Sequence, residues 1–313
     1  MNTYRHTGYA PGKVILLGEH AVVYGRPAIA VPVTQVRATA TIESAPPGDG
    51  LTIVAADLGR TVRLATAPPD EPLAAAAWLT LGHLSAAEPD ATVTIRSSIP
   101  IASGLGSGAA VSAALIRALT AFLGHPIPPE ELSPLVFEVE KIHHGTPSGI
   151  DNTVVVYEQP VYFVRGQPIE RIAVGAPFTL LIGDTGLPSP TKEVVADVRR
   201  AWERSPARFD ALFDQIGDLT LEARQAIAAG DLGTLGRLMD LNHELLSEMG
   251  VSAPVLDELV RAARAAGAWG AKLSGAGRGG NVVALVEEAD AADVEKALLL
   301  AGARQVIRTQ IVG

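Results

Sequence analysis

The chain has 313 residues, 48% of them hydrophobic and 4% aromatic, which is enough for two domains whose cores Ala, Val, Leu and Ile must fill. Its formal charge of −9 argues against a broad nucleic-acid surface, although a pocket can carry a local field of the opposite sign. The absence of cysteine excludes disulfides, zinc–thiolate sites and iron–sulfur clusters.

Met1 to Pro11 is polar and lacks the apolar stretch of a signal peptide. The longest apolar runs are broken by Gly, Pro or charge well short of a membrane span. The expectation is a soluble cytoplasmic protein with no membrane and no nucleic-acid partner. Lys13–Leu17, Ala28–Val33, Arg37–Ile42 and Leu51–Val54 read as strands, with a turn at Pro46-Pro47-Gly48. Ala-rich Leu73–Leu84 reads as a helix and Thr92–Arg96 alternates like a strand. A Gly/Ser-rich loop, Pro100 to Gly108, precedes an apolar helix over Ala109–Leu123, and a second helix covers Pro129–His143. Thr153–Val156 and Val161–Val164 look like strands paired around Gln159-Pro160.

Composition shifts near Gly175-Ala176-Pro177, which sets the expected domain division at residues 1–175 and 176–313. Phe178–Gly183 reads as a strand. Helical periodicity follows over Thr191–Arg204, Phe209–Ala229, Leu232–Met249 and Pro254–Ala266. A glycine-rich stretch, Ala271–Gly280, leads into strand Val282–Val286, helix Asp290–Ala301 and a final strand Gln305–Val312. Helices mixed with a few strands make the fold class α+β.

Three segments carry candidate chemistry. In the first, Ser103-Gly104-Leu105-Gly106-Ser107-Gly108-Ala109 lies just ahead of a helix, so backbone amides and the positive helix end can face an anion such as the phosphates of ATP. No Gly-Lys-Ser/Thr follows, so it is not a Walker loop. The other reading is a loop that packs small residues against a neighbour. In the second, Lys272-Leu273-Ser274-Gly275-Ala276-Gly277-Arg278-Gly279-Gly280-Asn281 has four glycines in six positions. It is either a ligand-approaching backbone or a tight turn between helix and strand. In the third, Glu140–Asn152, the Gly145–Gly149 turn sets Asp151 at the start of the following strand, near the end of the helix that carries Glu140. Two carboxylates with separate roles, one for a metal and one for a nucleophile, suit phosphoryl transfer; solvation or helix capping is the alternative for each. His143 and His144 are adjacent, so their side chains diverge on a helix and do not form a metal site. Glu19-His20 is either functional or a hydrogen-bonded structural pair.

Together the segments resemble the GHMP kinases, the superfamily of galactokinase, homoserine kinase, mevalonate kinase and phosphomevalonate kinase. All three family motifs occur in order. Ala10-Pro11-Gly12-Lys13-Val14-Ile15-Leu16-Leu17-Gly18-Glu19-His20-Ala21-Val22-Val23-Tyr24-Gly25 and His144-Gly145-Thr146-Pro147-Ser148-Gly149-Ile150-Asp151-Asn152 are similar to the mevalonate kinase forms, whereas a galactokinase would read Gly-Glu-His-Thr-Asp-Tyr in the first. The resemblance implies a GHMP kinase fold: an N-terminal domain like the second domain of ribosomal protein S5, a ferredoxin-like C-terminal domain, and an active site between them. It implies ATP and Mg2+, with mevalonate as the acceptor phosphorylated at its 5-hydroxyl. Lys13 and Asp151 would flank that hydroxyl, Glu140 would bind Mg2+, Glu19 and His20 would shape the substrate pocket, and Thr191 would support the aspartate. Arg165, fourteen residues after Asp151, is a candidate for the substrate carboxylate, or else an exposed strand-end arginine.

The chain departs from the family in two places. Ser107-Gly108 replaces the usual Ser-Ser, which leaves Ser107 or a water to complete the metal shell. Arg278 and Asn281 replace a glycine and a cysteine of the third motif, and Arg278 either meets a phosphate or points to solvent. A related kinase acting on phosphomevalonate or on another mevalonate hydroxyl is the alternative activity. A non-catalytic sensor is the alternative class, and retention of Lys13, Glu140 and Asp151 argues against it. The sequence does not give the oligomeric state; a homodimer is one assembly it allows.

Overall fold

The computed structural model describes residues 5–100, 104–144 and 147–312, without the side chains of His143 and His144. Ser103, expected in the phosphate loop, lies outside the described residues. In chain order the elements are strands β1 (Arg5–Leu17), β2 (Ala28–Ser44), β3 (Leu51–Ala55) and β4 (Arg60–Arg63), helix α1 (Pro72–Leu84), strand β5 (Ala91–Ser97), and helices α2 (Ser107–Phe122), α3 (Pro129–His144) and α4 (Ile150–Tyr157). Then come strands β6 (Val161–Phe163), β7 (Glu170–Arg171) and β8 (Phe178–Asp184), followed by helices α5 (Thr191–Arg204), α6 (Pro206–Ala229), α7 (Leu232–Glu248) and α8 (Pro254–Ala265). Strands β9 (Gly270–Ser274) and β10 (Asn281–Val286), helix α9 (Ala291–Leu300) and strand β11 (Gln305–Ile311) complete the chain. No helix among the described residues is long and apolar enough to cross a membrane.

Two compact units interleave along the sequence. The first comprises residues 1–12, 36–100 and 106–158. Its strands run β4-β3-β5-β2, with β3 and β5 parallel and the other pairs antiparallel, and β1 also pairs with β2. Helices α1, α2, α3 and α4 pack on one another. Small side chains make that packing close: Ala74–Ala77 of α1 and Ala109, Ala110, Ala113, Ala114 and Ala118 of α2 are all buried. The sparse aromatics foreshadow this core of Ala, Val, Leu and Ile.

The second unit comprises residues 13–35, 101–105 and 159–313. Its four-stranded sheet has the order β11-β8-β10-β9, with every neighbouring pair antiparallel. With β8, β9, β10 and β11 taken as first to fourth, the spatial order is 4-1-3-2 and the helices fall after the first and third strands. This is the split βαββαβ plan expected of a ferredoxin-like domain. β8, β9 and β10 are buried along their whole length, which is why β8 and β10 read as largely apolar runs. Their partners are the apolar stripes of α5 through α9, centred on Phe213, Leu246, Leu259 and Leu298.

Three expectations need correction. Thr153–Val156, read as a strand, belongs to α4, so Asp151 sits in the first turn of a helix. Its Thr-Val-Val-Val run favours a strand locally, but Asn152 through Val156 are all buried and α4 packs on α2 and α3. Packing of that kind overrides a propensity worth a few tenths of a kcal/mol per residue. Ala28–Val33 and Arg37–Ile42 form one strand, β2. β9 was hidden inside a stretch read only as glycine-rich.

Candidate active site

In the first unit, three of the motif residues, Ser107, Glu140 and Asp151, lie at or near the ends of helices that pack on one another. α2 starts at Ser107 behind Gly106, which sits at φ 72 and leaves the helix without a side-chain cap. Its first-turn amides are therefore not consumed by a side chain. α3 packs against α2, and a short connection, Leu123–Pro128, reverses the chain between them. The C-terminal part of α3, with Glu140, thus returns to the end at which α2 begins. α4 starts soon afterwards behind Gly149 at φ 95, with Asp151 in its first turn. Glu140 is 2% exposed; Ser107, Gly108 and Asp151 are partly exposed, Gly106 and Ala109 are buried.

In the second unit, Lys13 on β1 is 4% exposed. Its backbone N–H donates to Leu105 O (3.0 Å), which ties the first motif to the loop that leads into α2; Gly104 in that loop is exposed. Glu19 is buried, and its carboxylate accepts from the Lys272 ammonium and from Asn242 Nδ2 (3.3 Å). His20 has φ 61 and ψ −50, and the Ala21 N–H donates across it to Glu19 O (2.7 Å). That is a γ-turn of the rare positive-φ hand, strained by about 1–3 kcal/mol for a residue with a side chain. The His20 Nε2 meets Ala276 O at 3.0 Å.

α7 lies directly on β9, the strand that carries Lys272. A Cβ on Gly270 would fall 2.0 Å from Gly236 O, so only glycine permits the approach. β9 is an edge strand, and α7 covers its outward N–H groups. Asp240 Oδ1 accepts from Ala271 N (2.8 Å) and His243 Nδ1 accepts from Leu273 N (3.3 Å). An edge whose amides are satisfied this way cannot recruit another strand. The other side of the His243 ring faces Asp257 Oδ1 (3.3 Å). Ser274 Oγ donates to Ile15 O (2.8 Å), a further link between β9 and β1.

The third glycine segment is pressed on its own chain. A Cβ on Gly277 would stand 2.0 Å from Val251 O, and Arg278 N donates to that same oxygen (2.9 Å). Gly275 and Ala276 are partly exposed. The Arg278 guanidinium is paired with Asp197 on α5; its hydrogen bond holds that carboxyl below the usual range. Neither of the two readings of Arg278 anticipated this partner. Thr191 opens α5, exposed, with its Oγ1 donating to Ser189 O (3.4 Å). Arg165 is exposed on the turn after β6. No cluster of three or more His, Asp or Glu side chains placed to hold a metal is present among the described residues.

Residues 72–159 match the family described as GHMP kinases N terminal domain, and residues 223–303 match GHMP kinases C terminal. A mevalonate kinase of Thermococcus sibiricus is 36% identical over 322 aligned positions, covering 95% of this chain and 94% of the relative. The chain belongs to the GHMP kinases, within the mevalonate kinase family. The crystal structure of L. major mevalonate kinase in complex with R-mevalonate has a TM-score of 0.84 at 31% identity and covers 99% of this chain and 96% of that one. A Streptococcus pneumoniae phosphomevalonate kinase reaches a TM-score of 0.85 at 17% identity, covering 97% of this chain and 99% of that one. That second likeness shows the fold alone, so among GHMP kinases shape does not choose the acceptor.

Sequence reasoning about this mevalonate kinase family member gave no role to Lys272, Asn242 or His243. The only linear signal was a lysine opening a glycine-rich stretch. The two buried histidines lead to a prediction about acid. Burial lowers His20 to about 4 and His243 to about 4, against 6.5 for the ordinary side chain. Between those values the unfolded chain binds more protons than the fold. Stability is therefore complete above about pH 6.5 and falls as pH drops toward 4, by about 1.4 kcal/mol per pH unit for each histidine. Urea unfolding at a series of pH values across that window measures the slope. His243→Gln keeps an acceptor for Leu273 N–H and is expected to remove roughly half of the histidine contribution. A slope unchanged in that variant would rule out His243 as a source.

Proposed function

We propose that this chain transfers the γ-phosphoryl group of ATP to the 5-hydroxyl of mevalonate, giving 5-phosphomevalonate and ADP. The observation that carries the reading is the 36% identity to a mevalonate kinase over 95% of the chain, with Lys13, Glu140 and Asp151 all present. Phosphoryl transfer asks a protein mainly for positioning and charge stabilisation. Asp151, in the first turn of α4, accepts or orients the proton of the attacking hydroxyl. Lys13 stabilises the negative charge that develops as this proton leaves. The amides that open α2, with Gly104 to Ala109, take the phosphates. His20 and Glu19 shape the mevalonate pocket. The Glu19 carboxylate also accepts from Lys272 and Asn242, which fixes its place beside His20 in that pocket. Arg165 is suited to the mevalonate carboxylate and Thr191 to supporting the site at the start of α5.

The residues present fit Mg2+. Glu140 offers a buried carboxylate at the helix ends where Ser107 offers a hydroxyl, and a hard cation that keeps its waters and takes phosphate oxygens needs few protein ligands. Glu140 is the principal holder and Ser107 the second, since Gly108 has no hydroxyl to give. When bound, Mg2+ neutralises charge on the transferring phosphates.

The test is an ADP-release assay with purified protein, ATP and Mg2+, offering mevalonate, 5-phosphomevalonate, galactose and homoserine in turn, with the product located by 31P and 13C NMR. ADP release with mevalonate and phosphate on the primary oxygen is the expected result. Turnover of phosphomevalonate with none of mevalonate, or phosphate on the tertiary oxygen, would replace this reading.

A further inference from the structure

Lys272 has no exposed surface on β9, and none of the roles above uses it as an actor. Two charges buried together are weak evidence for stability, because Met or Leu would fill such a space without desolvating either. The pair therefore needs a different explanation. Its ammonium donates to Glu19 and to Leu273 O (2.6 Å). The next residue after Glu19 is the one held in the strained γ-turn. That turn is anchored on both flanks: the Glu19 side chain by β9 and α7, and the His20 ring by Ala276 O at 3.0 Å. A strained backbone persists only where its surroundings over-determine it, and these are the contacts that do so. A carbonyl oxygen only accepts, so Nε2 of His20 carries the proton and Nδ1 is the acceptor nitrogen. The depressed basicity of the ring keeps that tautomer neutral near pH 7.

We propose that Lys272 is a positioning residue: through Glu19 it holds the γ-turn at His20 and so fixes which imidazole nitrogen faces the acceptor substrate, and in what direction. This rests on the reading of the site as one that phosphorylates mevalonate with His20 shaping the acceptor pocket; Nδ1, the nitrogen left bare by the Ala276 contact, is then the one that can accept a hydrogen bond from the substrate. Lys272 itself does not touch the substrate. Its removal acts on mevalonate through His20 and leaves the nucleotide side unaffected.

The experiment compares wild type, Lys272→Met and Lys272→Met/Glu19→Gln by 15N NMR of labelled histidines, with the His20 signals assigned by His20→Gln, and by steady-state kinetics. In wild type at neutral pH the His20 Nε2 signal is that of a protonated nitrogen and the Nδ1 signal that of a bare one. In Lys272→Met both are expected to shift toward a mixture of tautomers. At the same time kcat/KM for mevalonate falls about tenfold or more, the scale of a small misplacement, and KM for ATP is unchanged. Adding Glu19→Gln removes the stranded charge, so the double variant recovers its melting temperature but recovers neither the nitrogen shifts nor kcat/KM. A purely structural lysine would give the opposite pattern: folded Lys272→Met, or the double variant, with wild-type nitrogen shifts and wild-type kcat/KM. That result overturns the proposal. If Lys272→Met does not fold, the double variant carries the same reading. The nitrogen shifts do not depend on which acceptor is used, so a wild type inactive on mevalonate would refute the proposed reaction and leave this test in force.

Discussion

Asp151→Asn is expected to bind mevalonate and ATP nearly as the wild type does and to turn over about 100-fold more slowly or worse, the usual scale for losing an acid–base group. A primary alcohol is a poor nucleophile at neutral pH, and its proton becomes acidic only as attack proceeds. A carboxylate within hydrogen-bonding reach can then accept or orient that proton, and the isosteric amide cannot accept it. Asp151 is in the first turn of α4 and partly exposed, so the substitution removes charge without opening a cavity. Lys13→Met is expected to cut turnover as well. If both side chains serve one step, the double variant loses less than the product of the two single losses. Single-turnover rates and equilibrium binding for the four proteins give the answer. Near-normal turnover in Asp151→Asn would remove it from the chemistry.

Glu140→Gln is expected to raise the Mg2+ concentration for half-maximal rate by about tenfold or more and to lower turnover at saturating metal. The reason is the shortage of alternatives: Gly108 supplies no hydroxyl, and no acidic cluster among the described residues stands in for Glu140. Glu140 is buried and the isosteric amide keeps the side chain's volume, so the result that identifies a metal ligand is a raised Mg2+ requirement in a protein that still melts cooperatively. That combination separates loss of metal from loss of fold. Initial rates titrated with Mg2+, beside a melting curve, check it. An unchanged metal requirement means that the cation is held by other groups.

Much of the fold was legible in the chain. α5, α6, α7 and α8 showed themselves through helical periodicity, because each buries one apolar stripe in the core of the second unit and keeps a polar face in water. β8 and β10 showed themselves as largely apolar runs, because both of their faces are covered. Lys13, Glu140 and Asp151 could be named because they lie inside motifs with distinctive neighbours on both sides.

What stayed hidden depended on residues distant in sequence. Thr153–Val156 has the local preference of a strand, and only burial against α2 and α3 makes it a helix. Glycines concealed β9, yet Gly270 is there so that α7 can touch the strand. Arg278 has no local cue for Asp197, which lies 81 positions away. Nothing near Glu19 in the sequence pointed to its partner Lys272, 253 positions along the chain. Local order determined the elements and the motifs, since propensity, periodicity and turn chemistry act over a few residues. Which charge meets which, and therefore what Glu19 and His20 are free to do, was decided only when folding brought β9 and α7 up against the end of β1.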